Sequence, residues 1–232
     1  MFHFKRFSVD DTLCAMKVGT DGVLLGAWAD VRGARHILDI GTGSGLIALM
    51  IAQRCDDAVI EAIDIDEGAV AQARINAEVS PWAERIAVLC ADAKSYAPTH
   101  KFDHIVTNPP FFNTTLHSPD ERRALARHSA SLGYADIVAT AERLLNHGGR
   151  LSLILPADEA SHFRREAFNH LWLRRETSIL SHDGEAPKRT MMEFVLCDEP
   201  LMPSVDTIAI RTKDGAYSDE YRRLTEEYYL KF

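Results

Sequence analysis

The sequence predicts an α/β fold: a doubly wound, mostly parallel seven-stranded sheet with an antiparallel pair at one edge. Two observations carry that expectation. From His36 onward, short apolar runs alternate with amphipathic stretches at a spacing that joins parallel strands by right-handed crossovers. Later, residues 171–180 and 191–197 read as strands with no helix between them, which implies an antiparallel pair.

Ahead of that pattern, residues 2–7 alternate apolar with polar and predict a short strand, with 13–18 as its hairpin partner. Thr20-Asp21 reads as the cap of a helix carrying Val23 to Trp28. Residues 1–35 are too few for a core of their own, so they form an N-terminal elaboration on the domain made by 36–232.

From residue 36 the elements follow closely. Residues 36–40 predict a strand, 44–54 a helix, 59–65 a strand and 67–79 a helix. Strands at 86–90 and 102–107 come next. Residues 112–131 hold no clear element, and connections of that length are usually functional. A helix at 134–146, stopped by Gly148-Gly149, precedes a strand at 150–155 and a helix at 158–169. A strand at 205–210 and a short helix lead to Tyr228-Tyr229-Leu230-Lys231-Phe232.

With 46% hydrophobic and 26% charged residues, the 232-residue chain is an ordinary globular composition. No apolar run reaches the roughly 18 residues of a membrane span, and the start lacks the apolar core of a secretory signal; a cytoplasmic location is the expectation. Cys14, Cys55, Cys90 and Cys197 are widely separated, which predicts neither a disulfide framework nor a zinc site. The ten histidines show no H-E-x-x-H spacing, and no metal is assigned.

The net charge of −8 argues against a nucleic-acid partner until its distribution is considered. Residues 36–110 hold five basic and eleven acidic side chains, whereas 111–197 hold eleven of each. Arg122-Arg123, Arg127, Arg164-Arg165, Arg174-Arg175 and Lys188-Arg189 could supply a local basic face. Taken singly, each also fits a solvated surface.

Three acids and a glycine turn mark a ligand site. Gly41, Gly43 and Gly45 sit between a strand and a helix, where the backbone turns tightly and can approach a ligand. A dinucleotide turn would read G-x-G-x-x-G, but Leu46 stands at the last glycine's place, which disfavours hydride transfer with NAD. Asp39 precedes the turn. Asp64 ends the next strand, where a carboxylate can accept both hydroxyls of a ribose. Asp92 follows the third strand and suits an adenine amino group. Asp66 fits a helix cap.

Asn108-Pro109-Pro110-Phe111 follows a fourth strand. The two prolines forbid helix or central strand, so this is a turn at the sheet's ligand-binding edge. Asn108 Oδ1 and the Pro109 carbonyl could accept the two hydrogens of a planar amine, and Phe111 could stack on a base.

These motifs resemble those of class I S-adenosylmethionine-dependent methyltransferases, over residues 36–200. The resemblance implies the Rossmann-like methyltransferase fold and S-adenosyl-L-methionine as methyl donor, with S-adenosyl-L-homocysteine as product. It also gives Asp39, Gly41, Gly43, Gly45, Asp64, Asp92 and Asn108 cofactor roles, and Asn108, Pro109, Pro110 and Phe111 a catalytic one. The four-residue motif is shared by enzymes acting on adenine in DNA or RNA and on a glutamine side-chain amide. Phe4-Lys5-Arg6-Phe7, residues 16–28 and residues 224–232 resemble the bacterial family that methylates N6 of adenosine 37 in a valine tRNA. That likeness implies tRNA as partner, with no DNA or membrane. It also implies that Lys17, Thr20 and Asp21 close over the cofactor's methionine end, and that Arg122, Arg123, Arg127 and His128 contact the anticodon arm. N5-glutamine methylation of a protein, or a non-catalytic RNA-binding protein of this fold, are the competing readings.

Overall fold

The computed structural model describes residues 1–110 and 132–232. Phe111, Arg122, Arg123, Arg127 and His128 lie outside the described residues. The main sheet is built from β3 (His36–Ile40), β4 (Val59–Asp64), β5 (Ile86–Cys90), β6 (Phe102–Thr107), β7 (Leu145–Pro156), β8 (Trp172–His182), β9 (Arg189–Val195) and β10 (Ser204–Arg211). Their order is β10-β8-β9-β7-β6-β3-β4-β5. The sheet therefore has eight described strands rather than seven. β10 pairs in parallel with β8, so the antiparallel pair lies inside the sheet and β9 alone runs against its neighbours.

Period-2 burial covers both faces, as a doubly wound sheet requires. Ile37, Ile60, Ala62 and Val106 pack against α1 (Thr20–Trp28), α2 (Leu46–Arg54) and α3 (Glu67–Glu78). Leu38, Ile40, Ile63 and Ile105 face the other way, against α4 (Tyr134–Leu144) and α5 (Ala160–Ala167). Each fully buried Leu or Ile contributes about 1.5–3 kcal/mol.

Three local expectations are corrected. The N-terminal hairpin pairs β1 (Phe2–His3) with β2 (Ser8–Val9), not with 13–18, because the Phe4 and Phe7 rings stack at 4.7 Å and close the turn early. Helix α1 is capped by Gly19 without a side-chain bond; Asp21 instead accepts from Arg189 Nε at 2.7 Å. Gly148 and Gly149 lie inside β7, which starts directly after α4: Gly148 takes φ 81°, and the β6–β7 register shifts there.

The two chain ends meet. Lys5 N–H donates to the Tyr228 carbonyl at 2.8 Å, and the buried Tyr228 hydroxyl donates to Met50 C=O of α2 at 3.0 Å. Helix α6 (Asp219–Thr225) brings the last residues there.

The arginine doublet on β8 is engaged in structure. Arg174 and Arg175 both pair with the fully buried Glu193, at 2.8 and 3.5 Å, and Arg175 lies over the Trp28 ring at 3.7 Å.

Candidate active site

The chain reverses its direction of travel across the sheet between β3 and β6. One walk goes β3-β4-β5 and the other β6-β7, and ligands bind at the strand ends beside such a switch. Ile40 pairs with both Ile63 and Thr107, and Asp64 with Cys90, so the ends of β6, β3, β4 and β5 are level. The glycine turn, Asp64, Asp92 and Asn108 therefore line one edge, across three strand spacings of about 4.8 Å each.

The glycine turn is held from beneath. The Gly41 and Thr42 N–H groups both donate to Ile63 C=O, at 2.9 and 3.0 Å. Gly41, Gly43 and Gly45 have φ of 69°, 56° and 80°, a region that side chains rarely adopt. Among the described residues, a Cβ at Gly41 or Gly43 would meet nothing within 4 Å, so this stretch of backbone borders space that they leave open. At Gly45 the need differs: a Cβ there would sit 3.4 Å from that of Ala73 on α3.

Asp64 is tied into the turn. Its Oδ2 accepts from Gly43 N–H at 2.9 Å and its Oδ1 from Asp66 N–H at 3.0 Å. Asp66 caps α3 by accepting from Ala69 N–H at 2.8 Å. Asp39 is fully buried and accepts from the Thr42 hydroxyl at 2.7 Å. Burial pushes its carboxyl up to about 7, with Asp64 adding, against the downward pull of Thr42 and the Ala48 amide. Asp92 accepts from Lys94 N–H at 2.9 Å and starts the turn beyond β5.

Thr107 anchors the last turn of the edge, its hydroxyl donating to Ile40 C=O at 2.9 Å. Next to it, Asn108 Oδ1 is buried with no hydrogen-bond partner among the described residues, while Pro109 is buried and Pro110 exposed. A buried carbonyl oxygen left so costs about 1–3 kcal/mol unless a ligand donor meets it. Lys17 Nζ donates to the Asp11, Cys14 and Thr12 carbonyls at 2.7, 3.0 and 3.4 Å, and Thr20 is exposed at the start of α1. Both stand on the segment leading from the hairpin to α1.

Sequence reasoning missed two side chains beside this edge, Gln72 and Asn76. Both are polar and buried on α3, four residues apart on the face that carries Ala69 and Ala73. That polar pair within an apolar stripe was the available signal.

A family model described as the methyltransferase small domain matches residues 17–177. A tRNA1(Val) (adenine(37)-N6)-methyltransferase of Bacteroides thetaiotaomicron is 45% identical over 231 residues, 99% of this chain and 97% of that one. One from an Enterobacter species is 42% identical over 99% and 94% of the two chains. The crystal structure of a predicted O-methyltransferase from Agrobacterium tumefaciens matches with a TM-score of 0.69 at 22% identity, covering 90% of this chain and 96% of that one; this likeness shows the fold. With a matching family model over most of its length and relatives of this identity from end to end, the chain belongs to the methyltransferase small domain family, among the tRNA1(Val) (adenine(37)-N6)-methyltransferases.

Proposed function

We infer that this protein transfers a methyl group from S-adenosylmethionine to N6 of adenine 37 in a valine tRNA. The observation that carries the chemistry is the buried Asn108 Oδ1, without a hydrogen-bond partner among the described residues, at the same sheet edge as a glycine turn bordering space that those residues leave open. The residues suit the cofactor: the Gly41–Gly45 backbone can approach its amino-acid end, Asp64 its ribose and Asp92 its adenine. When bound, it supplies an electrophilic methyl on a sulfonium.

The chain's own work is to hold the amine. The N6 lone pair of adenine is delocalised into the ring, so the nitrogen must be fixed in line at near-attack distance. Asn108 Oδ1 accepts one amine hydrogen and the Pro109 carbonyl the other, an arrangement that favours positive charge building on nitrogen. Pro110 restricts the conformation of Pro109, which sets that carbonyl's direction. An amide suffices because the methylated amine is acidic enough to lose its proton afterwards. Phe111 stacks on the base, and Arg122, Arg123 and Arg127 meet phosphates of the anticodon arm; these four roles rest on sequence. The site of action is the cytoplasm, and the substrate is RNA rather than DNA.

A pair of transcripts tests the reading. Valine tRNA with adenosine at 37 should take up one methyl per molecule, and the same transcript with guanosine there should take up none. Equal labelling of both would overturn the assignment of position.

A further inference from the structure

Residues 10–18, between the N-terminal hairpin and α1, are folded back on themselves as a strap. Asp10 Oδ1 accepts from the Thr12 hydroxyl and N–H at 2.6 and 3.1 Å, and Asp11 Oδ2 accepts from Val18 N–H at 2.9 Å. The Lys17 ammonium adds its bonds to the Asp11, Thr12 and Cys14 carbonyls. Two amide side chains of α3 tie this strap down.

Asn76 is 2% exposed and uses its whole carboxamide. Its Oδ1 accepts from Asp10 N–H at 3.0 Å, and its Nδ2 donates to Asp10 C=O at 2.7 Å and to Ser44 C=O at 2.8 Å. One turn earlier, Gln72 Oε1 accepts from Leu13 N–H at 3.2 Å. Ser44 belongs to the glycine turn. A single planar group thus fixes the strap and the turn together.

The middle of the strap crosses the start of α3. A Cβ on Gly68, in the first turn of α3, would lie 3.3 Å from Leu13 C=O, so the strap passes closely over the start of that helix. The Cys14 thiol is buried and pushed up to about 11, by desolvation first and by the Asp64 carboxylate next. The strap therefore runs from the glycine turn, where Asn76 joins it to Ser44, across the first turn of α3 at Gly68.

We propose that Asn76 is a positioning residue for S-adenosylmethionine: by clamping the strap to Ser44 it makes residues 10–18 a fixed wall of the cofactor trough. This rests on the cofactor assignment above. Asn76 does not touch the reacting atoms. It acts on affinity by pre-ordering two segments, so its loss raises the cost of binding and leaves the methyl-transfer step as it was.

The test is Asn76→Asp, which keeps shape and acceptor but removes both N–H donors. Cofactor titration by calorimetry should show a Kd raised about 10–100-fold, with KM for the cofactor rising alike and kcat within about threefold of the unaltered chain. Hydrogen exchange supplies a readout independent of turnover. S-adenosylhomocysteine should protect residues 10–18 in the unaltered chain and much less in the variant. Gln72→Ala releases the strap without touching the glycine turn, and carries the test if the first variant does not fold. It should raise Kd about 3–10-fold, with kcat again unchanged. A Kd within twofold of the unaltered chain in a folded variant, or a fall in kcat at constant KM, overturns the proposal. Failure of the unaltered chain to bind the cofactor overturns the cofactor assignment and this inference with it.

Discussion

Gly43 N–H donates to Asp64 Oδ2 at 2.9 Å, so the turn after β3 and the end of β4 form one hydrogen-bonded unit. Asp64, the acid proposed to accept the ribose hydroxyls, is thereby held in place by the turn. Hydrogen bonds to a charged group are worth about 1.5–3 kcal/mol each. Asp64→Ala should weaken S-adenosylmethionine binding about 10–100-fold, measured by calorimetric titration. A Kd equal to that of the unaltered chain would remove Asp64 from the site.

Asn108 should separate binding from chemistry. Asn108→Ala takes away an acceptor for the amine, and loss of one such group costs about 100–1,000-fold in kcat. Cofactor affinity should stay within a few-fold. Single-turnover methylation with saturating cofactor reads the first, and titration reads the second. An active variant would refute the amine-holding role.

Two buried groups pull the pH dependence of stability in opposite directions. Asp39 has its carboxyl raised by burial from 3.8 to about 7. The folded state then holds that proton more tightly than the unfolded one, and stability from this group falls as pH rises from about 4 to 7. His104 is fully buried, accepts or donates at 2.9 Å to the Ser152 hydroxyl, and is lowered by burial from 6.5 to about 3. Its contribution is complete above about 6.5 and lost as pH falls toward 3. Asp39→Asn should leave the His104 slope unopposed. In a series of thermal melts without cofactor, the variant's Tm should climb more steeply between pH 4 and 6.5 than that of the unaltered chain. Parallel curves would contradict the assignment.

The proposed RNA contacts would carry a salt signature. Replacing Arg122, Arg123 and Arg127 together with Ala should weaken tRNA binding and flatten the plot of log affinity against log salt. Each lost phosphate contact should lower the slope by about 0.7–0.9. An unchanged slope would place the contacts elsewhere.

The parallel core was legible because strand and helix periods are local: β3 to β6 and the turns between them fall within a residue or two of expectation. The antiparallel pair was legible from the missing helix. Its place in the sheet was not, since nothing in residues 204–211 says which strand they join. The glycines at 148 and 149 misled for a physical reason, since a left-handed glycine ends a helix or kinks a strand equally well. At the site, the glycine turn, the acids and Asn108 could be placed because each lies at or just beyond the end of a strand. Asn76 and Gln72 could not, because their partners are backbone groups more than thirty residues away.

The most direct measurement is to incubate the protein with methyl-labelled S-adenosylmethionine and total tRNA from a strain lacking the gene, then map the labelled nucleoside. The expected product is N6-methyladenosine at position 37 of a valine tRNA. Label in protein, or in a nucleoside other than adenosine, would contradict it.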